Sequence, residues 1–161
     1  MWIVSRRAGS PETSVNKGGL RRSYAKSRLL LRSDPLPFML LSAEKSLCRN
    51  VQFVDIDYEK LMVNKKTAIQ RTKEITELLE DVEFLSDEKA IQIRSKNYLA
   101  IGCDLKALKK LDDILRNEIL PADCSVLCLA EVSLTYMDVQ SANAAIAWAS
   151  KLSDGQEQTT S

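Results

Sequence analysis

Three short apolar runs constrain this chain more than any other feature: VQFVDI from Val51, YLAIGC from Tyr98 and CSVLCLA from Cys124. Each has the length of one strand, and none shows the polar alternation of a sheet face open to water, so each predicts a strand covered on both faces. Between the runs the spacing becomes helical. Leu61, Ala68, Ile75 and Leu79 fall on roughly one side of a helix predicted over Glu59 to Glu80. LKALKKLDDILRNEIL predicts a second helix, closed by Pro121, and VQSANAAIAWASKL a third, with Asp138 as its cap. The stretch FLSDEKAIQIRSK reads as a polar connection. Strands alternating with helices at this spacing predict an α/β fold, a parallel sheet with helices on both faces.

With 161 residues the chain suits one domain or a piece of a larger one, able to bury about two thirds of its surface. Its charge is unevenly spread. Up to Ser33 the only acid is Glu12, against Arg6, Arg7, Lys17, Arg21, Arg22, Lys26, Arg28 and Arg32. Residues 1–33 are therefore expected to form a basic, poorly ordered segment, with a phosphate-binding arm as the alternative. Residues 34–153 carry the predicted domain, and DGQEQTTS, 154–161, a polar tail. No apolar stretch approaches the roughly 20 residues of a membrane span, and MWIVSRR lacks the apolar core of a secretory signal. An intracellular, cytoplasmic protein is expected. Cys48, Cys103, Cys124 and Cys128 sit mostly in apolar runs, and there is no histidine. That pattern predicts packed cysteines and no metal site.

Each predicted strand ends on an acid: Asp57, Asp104 and Glu131. In open parallel sheets ligands bind beyond the carboxyl ends of the strands, so the three could face one crevice. Asp104 is also well placed to cap the helix after it. Glu131 is followed by VSLTYM before the next helix, so capping does not account for it. Asp55, one step inside the strand end, reads as a polar residue at the sheet rim. Carboxylates so grouped suit a ribose diol, an exocyclic amine or a sulfonium, all of which they engage by charge-assisted contacts. Asp57 stands about 20 residues beyond the turn SDPLPF, the distance at which an acid takes ribose hydroxyls in dinucleotide sites. A nucleoside cofactor is the natural inference, although that turn carries no glycine where backbone would approach it.

DPLPFMLLSAEKSL, FVDIDYEKLMVNKK, YLAIGCDLKALKKLDD and LAEVSLTYMDVQSANAAIAWAS together resemble the leucine carboxyl methyltransferase family, a branch of the class I S-adenosylmethionine-dependent methyltransferases. DPLPF, VDIDY and AEVSLTYM are most similar to its fungal tRNA wybutosine branch. The resemblance spans Asp34 to Ser153 and implies a partial Rossmann-like methyltransferase sheet with S-adenosyl-L-methionine as cofactor. The implied substrate is a carboxylate on the modified guanosine of phenylalanine tRNA; the sister branch acts on the C-terminal leucine of protein phosphatase type 2A. It further implies Asp57 at the cofactor ribose, Asp104 and Leu105 near adenine, and Glu131 as another cofactor contact. Tyr136 would line the substrate side or pack as an ordinary aromatic.

The amino-terminal part departs from the family pattern. NKGGLRR resembles its Asn-Arg-Gly-Tyr-x-x-Arg motif and would put Arg22 at the cofactor carboxylate, but Leu30 and Arg32 stand where two glycines belong. The chain also stops before the later strands of such a sheet, so it reads as a fragment of the family, an inactive remnant being the alternative from another class.

Overall fold

The computed structural model describes residues 2–7, 51–120, 124–130 and 132–153, the first six by backbone alone. Strand β1 covers Trp2–Arg7 and β2 Val51–Asp57. Helix α1, Glu59–Arg71, is followed by the single turn α2, Lys73–Thr76. Strands β3, Glu83–Phe84, β4, Ile91–Arg94, and β5, Tyr98–Gly102, come next. Helix α3, Leu108–Ile114, runs into a π-helical turn, Leu115–Ile119. Strand β6, Cys124–Leu129, a 3-10 turn, Ser133–Tyr136, and α4, Val139–Ser153, complete the described chain.

The strands form one sheet in the order β3-β4-β5-β2-β1-β6. It is mixed rather than all parallel. β2 and β5 pair in parallel, with Asp57 opposite Gly102, whereas β1 is antiparallel to both β2 and β6, and β3, β4 and β5 are antiparallel in turn. Two departures from the expected parallel sheet produce this. The stretch read as a polar connection holds β4 and half of β3, and the stretch read as a basic amino-terminal segment holds β1. Because β1 reverses direction twice over, β6 still runs the same way as β2 and β5.

The central strands are buried on both faces, as their unbroken apolar runs require. Phe53, Tyr98 and Ala100 face Met62 and Ile69 of α1. Val54, Ile56, Leu99 and Ile101 face Leu111 and Leu115 of the α3 segment and Leu152 of α4. Helices therefore cover both faces. Burial on this scale, at about 25 cal/mol per Å² of apolar surface, is what holds the layers together.

The helix predicted over Glu59 to Glu80 breaks at Thr72, whose backbone is extended. Threonine hydroxyls take over the freed carbonyls: Thr72 Oγ1 donates to Ala68 O at 2.9 Å and Thr76 Oγ1 to Ile69 O at 2.8 Å. The second predicted helix starts at Leu108, later than its apolar pattern, because residues 104–107 form a turn closed by Ala107 N donating to Asp104 O at 2.9 Å. Among the described residues, no helix is long and apolar enough to cross a membrane.

Candidate functional site

The carboxyl ends of β2, β5 and β6 lie along one edge of the sheet. The β2–β5 register sets Asp57 beside Gly102, and Cys103 N donates to Asp57 O at 2.8 Å, so Asp57 and the Asp104–Leu105 pair are brought together as neighbours. Asp57 is half-buried, its Oδ1 accepting from the Tyr58 amide at 2.8 Å. Asp104 is exposed and its Oδ1 accepts from the Lys106 amide at 2.9 Å. That bond orders the loop ahead of α3 and is not a helix cap, since α3 begins after Ala107. Each acid thus spends one oxygen on local backbone. Among the described residues nothing bonds the other oxygen of either. Leu105 is half-buried against the core beneath them.

Gly102 lets this edge form, a role that the sequence pattern alone does not reveal. A Cβ there would lie 2.9 Å from the Cα of Glu59, so the first turn of α1 rests directly on the end of β5. Around the acids two ion pairs tie the flanking elements. Lys110 Nζ meets Glu59 Oε1 at 3.2 Å, joining α3 to α1, and Lys106 Nζ meets Asp138 Oδ2 at 2.9 Å, joining the β5 loop to the start of α4. The hydrogen bond and charge of Asp138 raise the Lys106 ammonium above its ordinary value. Cys103, behind the edge, is buried, and burial pushes its thiol up, so it holds no ready thiolate.

Asp55 corrects the expectation of a rim residue. It is only 3% exposed and accepts from Lys65 of α1 and, at 3.2 Å, from the Tyr98 hydroxyl. It belongs to the α1 face of the sheet, away from the edge. Tyr136 is 85% exposed, so it is not a packed aromatic. Arg22, Glu131, Leu30, Arg32 and the turn SDPLPF lie outside the described residues. A wide depression of about 650 Å³ borders the edge, lined by Ala90, Lys106, Leu108, Lys110 and Asp113. It does not include Asp57 or Asp104, whose oxygens left unbonded among the described residues supply more specific acceptors than the depression does. Among the described residues no cluster of metal-ligating side chains occurs.

The edge can therefore accept hydrogen bonds from a polyol and from an amine at two neighbouring points, Asp57 and Asp104. No protein-family model matches the chain. Known proteins do match it. It is 77% identical over 121 residues to the tRNA wybutosine-synthesizing protein 4 of Aspergillus fumigatus, covering 75% of this chain and 12% of that protein. The protein of the same name from Emericella nidulans is 66% identical over 157 residues, 95% of this chain and 14% of the relative. The one from Saccharomyces cerevisiae is 33% identical over 128 residues, 74% of this chain and 18% of the relative. The chain thus spans a small fraction of the length of the relatives it matches.

Proposed function

Starting from homology to a segment of the fungal proteins named tRNA wybutosine-synthesizing protein 4, we propose that the chain is part of a carboxyl methyltransferase of wybutosine biosynthesis. The reading rests on Asp57 and Asp104, two acids on one edge of the sheet, each with an oxygen that no described residue bonds. They fit the nucleoside half of S-adenosyl-L-methionine. Asp57 would accept from the ribose hydroxyls and Asp104 from the adenine amine, while Leu105 packs against the base. Arg22 is assigned to a carboxylate, of cofactor or substrate, on sequence resemblance alone.

When bound, the cofactor supplies a methyl group activated by its sulfonium. The acceptor is a carboxylate on the modified guanosine of phenylalanine tRNA, ionised at neutral pH and in need of no general base. The chain's own task is alignment and exclusion of water. A protein C-terminus as acceptor has less support, since the relatives above are named for tRNA wybutosine synthesis.

Titration calorimetry with S-adenosyl-L-methionine tests the reading. Binding is expected, and Asp57→Ala should weaken it about tenfold, or about 1.4 kcal/mol. No heat at millimolar cofactor, or equal affinity for the variant, would reduce the reading to common ancestry.

A further inference from the structure

Lys106 holds two acids at once. Its backbone amide donates to Asp104 Oδ1 at 2.9 Å, and its ammonium donates to Asp138 Oδ2 at 2.9 Å. The first bond lies within the loop after β5, as does the closure of Ala107 N on Asp104 O at 2.9 Å. Bonds of such short span set the shape of a loop but not the direction in which it points, which takes contacts from outside it. Leu105 supplies one by packing on the core, and the Lys106 ammonium supplies another.

The far end of that second contact is fixed. Asp138 also accepts from the Ser141 amide and hydroxyl, each at 2.8 Å, and Ala142 N donates to Asp138 O at 2.9 Å, so the carboxylate is tied to the first turn of α4. Helix α4 is in turn seated on the core by Leu152 and on α3 by Trp148 Nε1, which donates to Asp112 Oδ1 at 2.9 Å. The hydrogen bond and charge of Asp138 raise the Lys106 ammonium above its ordinary value, with smaller contributions from Asp104 and Tyr58. The ammonium therefore stays charged, within the field of the acid that its own amide engages.

We propose that Lys106 is a positioning residue for Asp104: anchored on Asp138, it aims the Asp104 oxygen left unbonded among the described residues at the exocyclic amine of adenine, and so sets the preference of the site for an adenine nucleoside. The inference rests on the cofactor reading above. A carboxylate accepts from an amine and repels a carbonyl oxygen, so discrimination between purines depends on where the carboxylate points more than on overall fit. With side chains 50% and 55% exposed, Lys106 and Asp138 form a pair worth up to about a fivefold change in an equilibrium.

The test compares, by titration calorimetry on the chain, S-adenosyl-L-homocysteine with S-inosyl-L-homocysteine, which carry the same charge and differ in having an amine or a carbonyl on the purine. The adenosine compound should bind more tightly. Lys106→Met keeps the amide bond to Asp104 and Asp138→Asn keeps a capping side chain, yet each breaks the pair, so each should lower that preference about threefold to fivefold at unchanged circular dichroism. The two changes together should do no more than either alone. Lys106→Arg should keep the preference, and added salt should lower it more in the parent than in Lys106→Met. Asp104→Asn tests the cofactor reading by itself: a preference indifferent to it, or no binding of either compound, would sink that reading and this inference with it. A preference that Asp104→Asn abolishes but that survives both Lys106→Met and Asp138→Asn would overturn the role of Lys106 alone, as would equal weakening of the two compounds.

Discussion

At Gly102 the end of β5 and the start of α1 come so close that any side chain would collide with backbone, 2.9 Å from the Cα of Glu59. Neither partner can retreat freely, because Asp57, two residues before Glu59, is held in register with Gly102. Gly102→Ala should cost about 1–3 kcal/mol, the usual penalty of overpacking, read as a lower urea midpoint. An unchanged midpoint would show that α1 sits less firmly on the sheet. Tyr98 offers a second residue-level test. Burial, and then the charge and hydrogen bond of Asp55, raise its hydroxyl well above the ordinary 10.0. The folded state therefore keeps that proton to higher pH than the unfolded chain does. The resulting stability is complete below 10.0 and is lost as pH rises from there through the folded value. Tyr98→Phe removes a hydrogen bond worth about 0.5–1.5 kcal/mol, and the gap between variant and parent should shrink in alkali. A gap that stays constant up to alkaline unfolding would remove Asp55 and Tyr98 from the account.

Helix α4 starts where its sequence says it should. Asp138 accepts from the Ser141 amide and hydroxyl, each at 2.8 Å, as well as from Lys106. The Ser141 amide bond, followed by the bonds from Lys106 and Ser141 Oγ, holds the carboxyl far below the usual carboxylate range. Its contribution is present above the ordinary value of 3.8 and lost as pH falls from there through the folded value. Asp138→Ala should lower the melting temperature at neutral pH, and acid should narrow the difference; a difference independent of pH would count against the cap. This cap was legible because a local rule, an aspartate before an alanine-rich run, decides it. The β3–β4 hairpin was not. IQIR alternates apolar and polar residues, yet Gln92 is fully buried, its amide donating to Asp87 O at 3.2 Å and to Lys89 O. Asp55 misleads in the same way, as a charge that looks like a rim residue until Lys65 and Tyr98 are found beside it. In both cases the partners, carbonyls of the loop before β4 for Gln92 and side chains of α1 and β5 for Asp55, lie outside the strand whose pattern is being read. The placement of Asp57 and Asp104 was legible because strand ends follow from the apolar runs of β2 and β5; CSVLCLA reads the same way, yet among the described residues β6 is the last strand of the sheet and Leu127 is 52% exposed, so that run is not covered on both faces.

Across the whole molecule, β1 decides whether there is one sheet or two. β2 and β6 do not pair with each other; β1 lies between them, aligned from Trp2 opposite both Asp55 and Leu129 to Arg6 opposite Val51 and Ser125. Hydrophobic periodicity could not reveal this, since WIVSRR is short and basic at one end, and the choice of partners for a strand lies outside its own sequence. The chain moves outward from β2 to β5 and then crosses to β6 on the far side, so β1 fills the slot where the strand order reverses, the place at which open α/β sheets bind ligands. Running antiparallel, β1 puts its start, Trp2, at the edge that carries Asp57, and its end, Arg7, at the opposite edge. Among the described residues β1 is the strand that pairs with β6, so removing residues 1–7 would take that pairing away while the β2–β5 pair kept its own. Hydrogen exchange on the shortened chain should then show the amides of Cys124–Leu129 losing protection. Those of Tyr98–Gly102, buried between helices on both faces, should stay slow. Equal loss in both strands would mean that the sheet folds as one cooperative unit; full protection retained in β6 would mean that β1 is not what holds that strand in place.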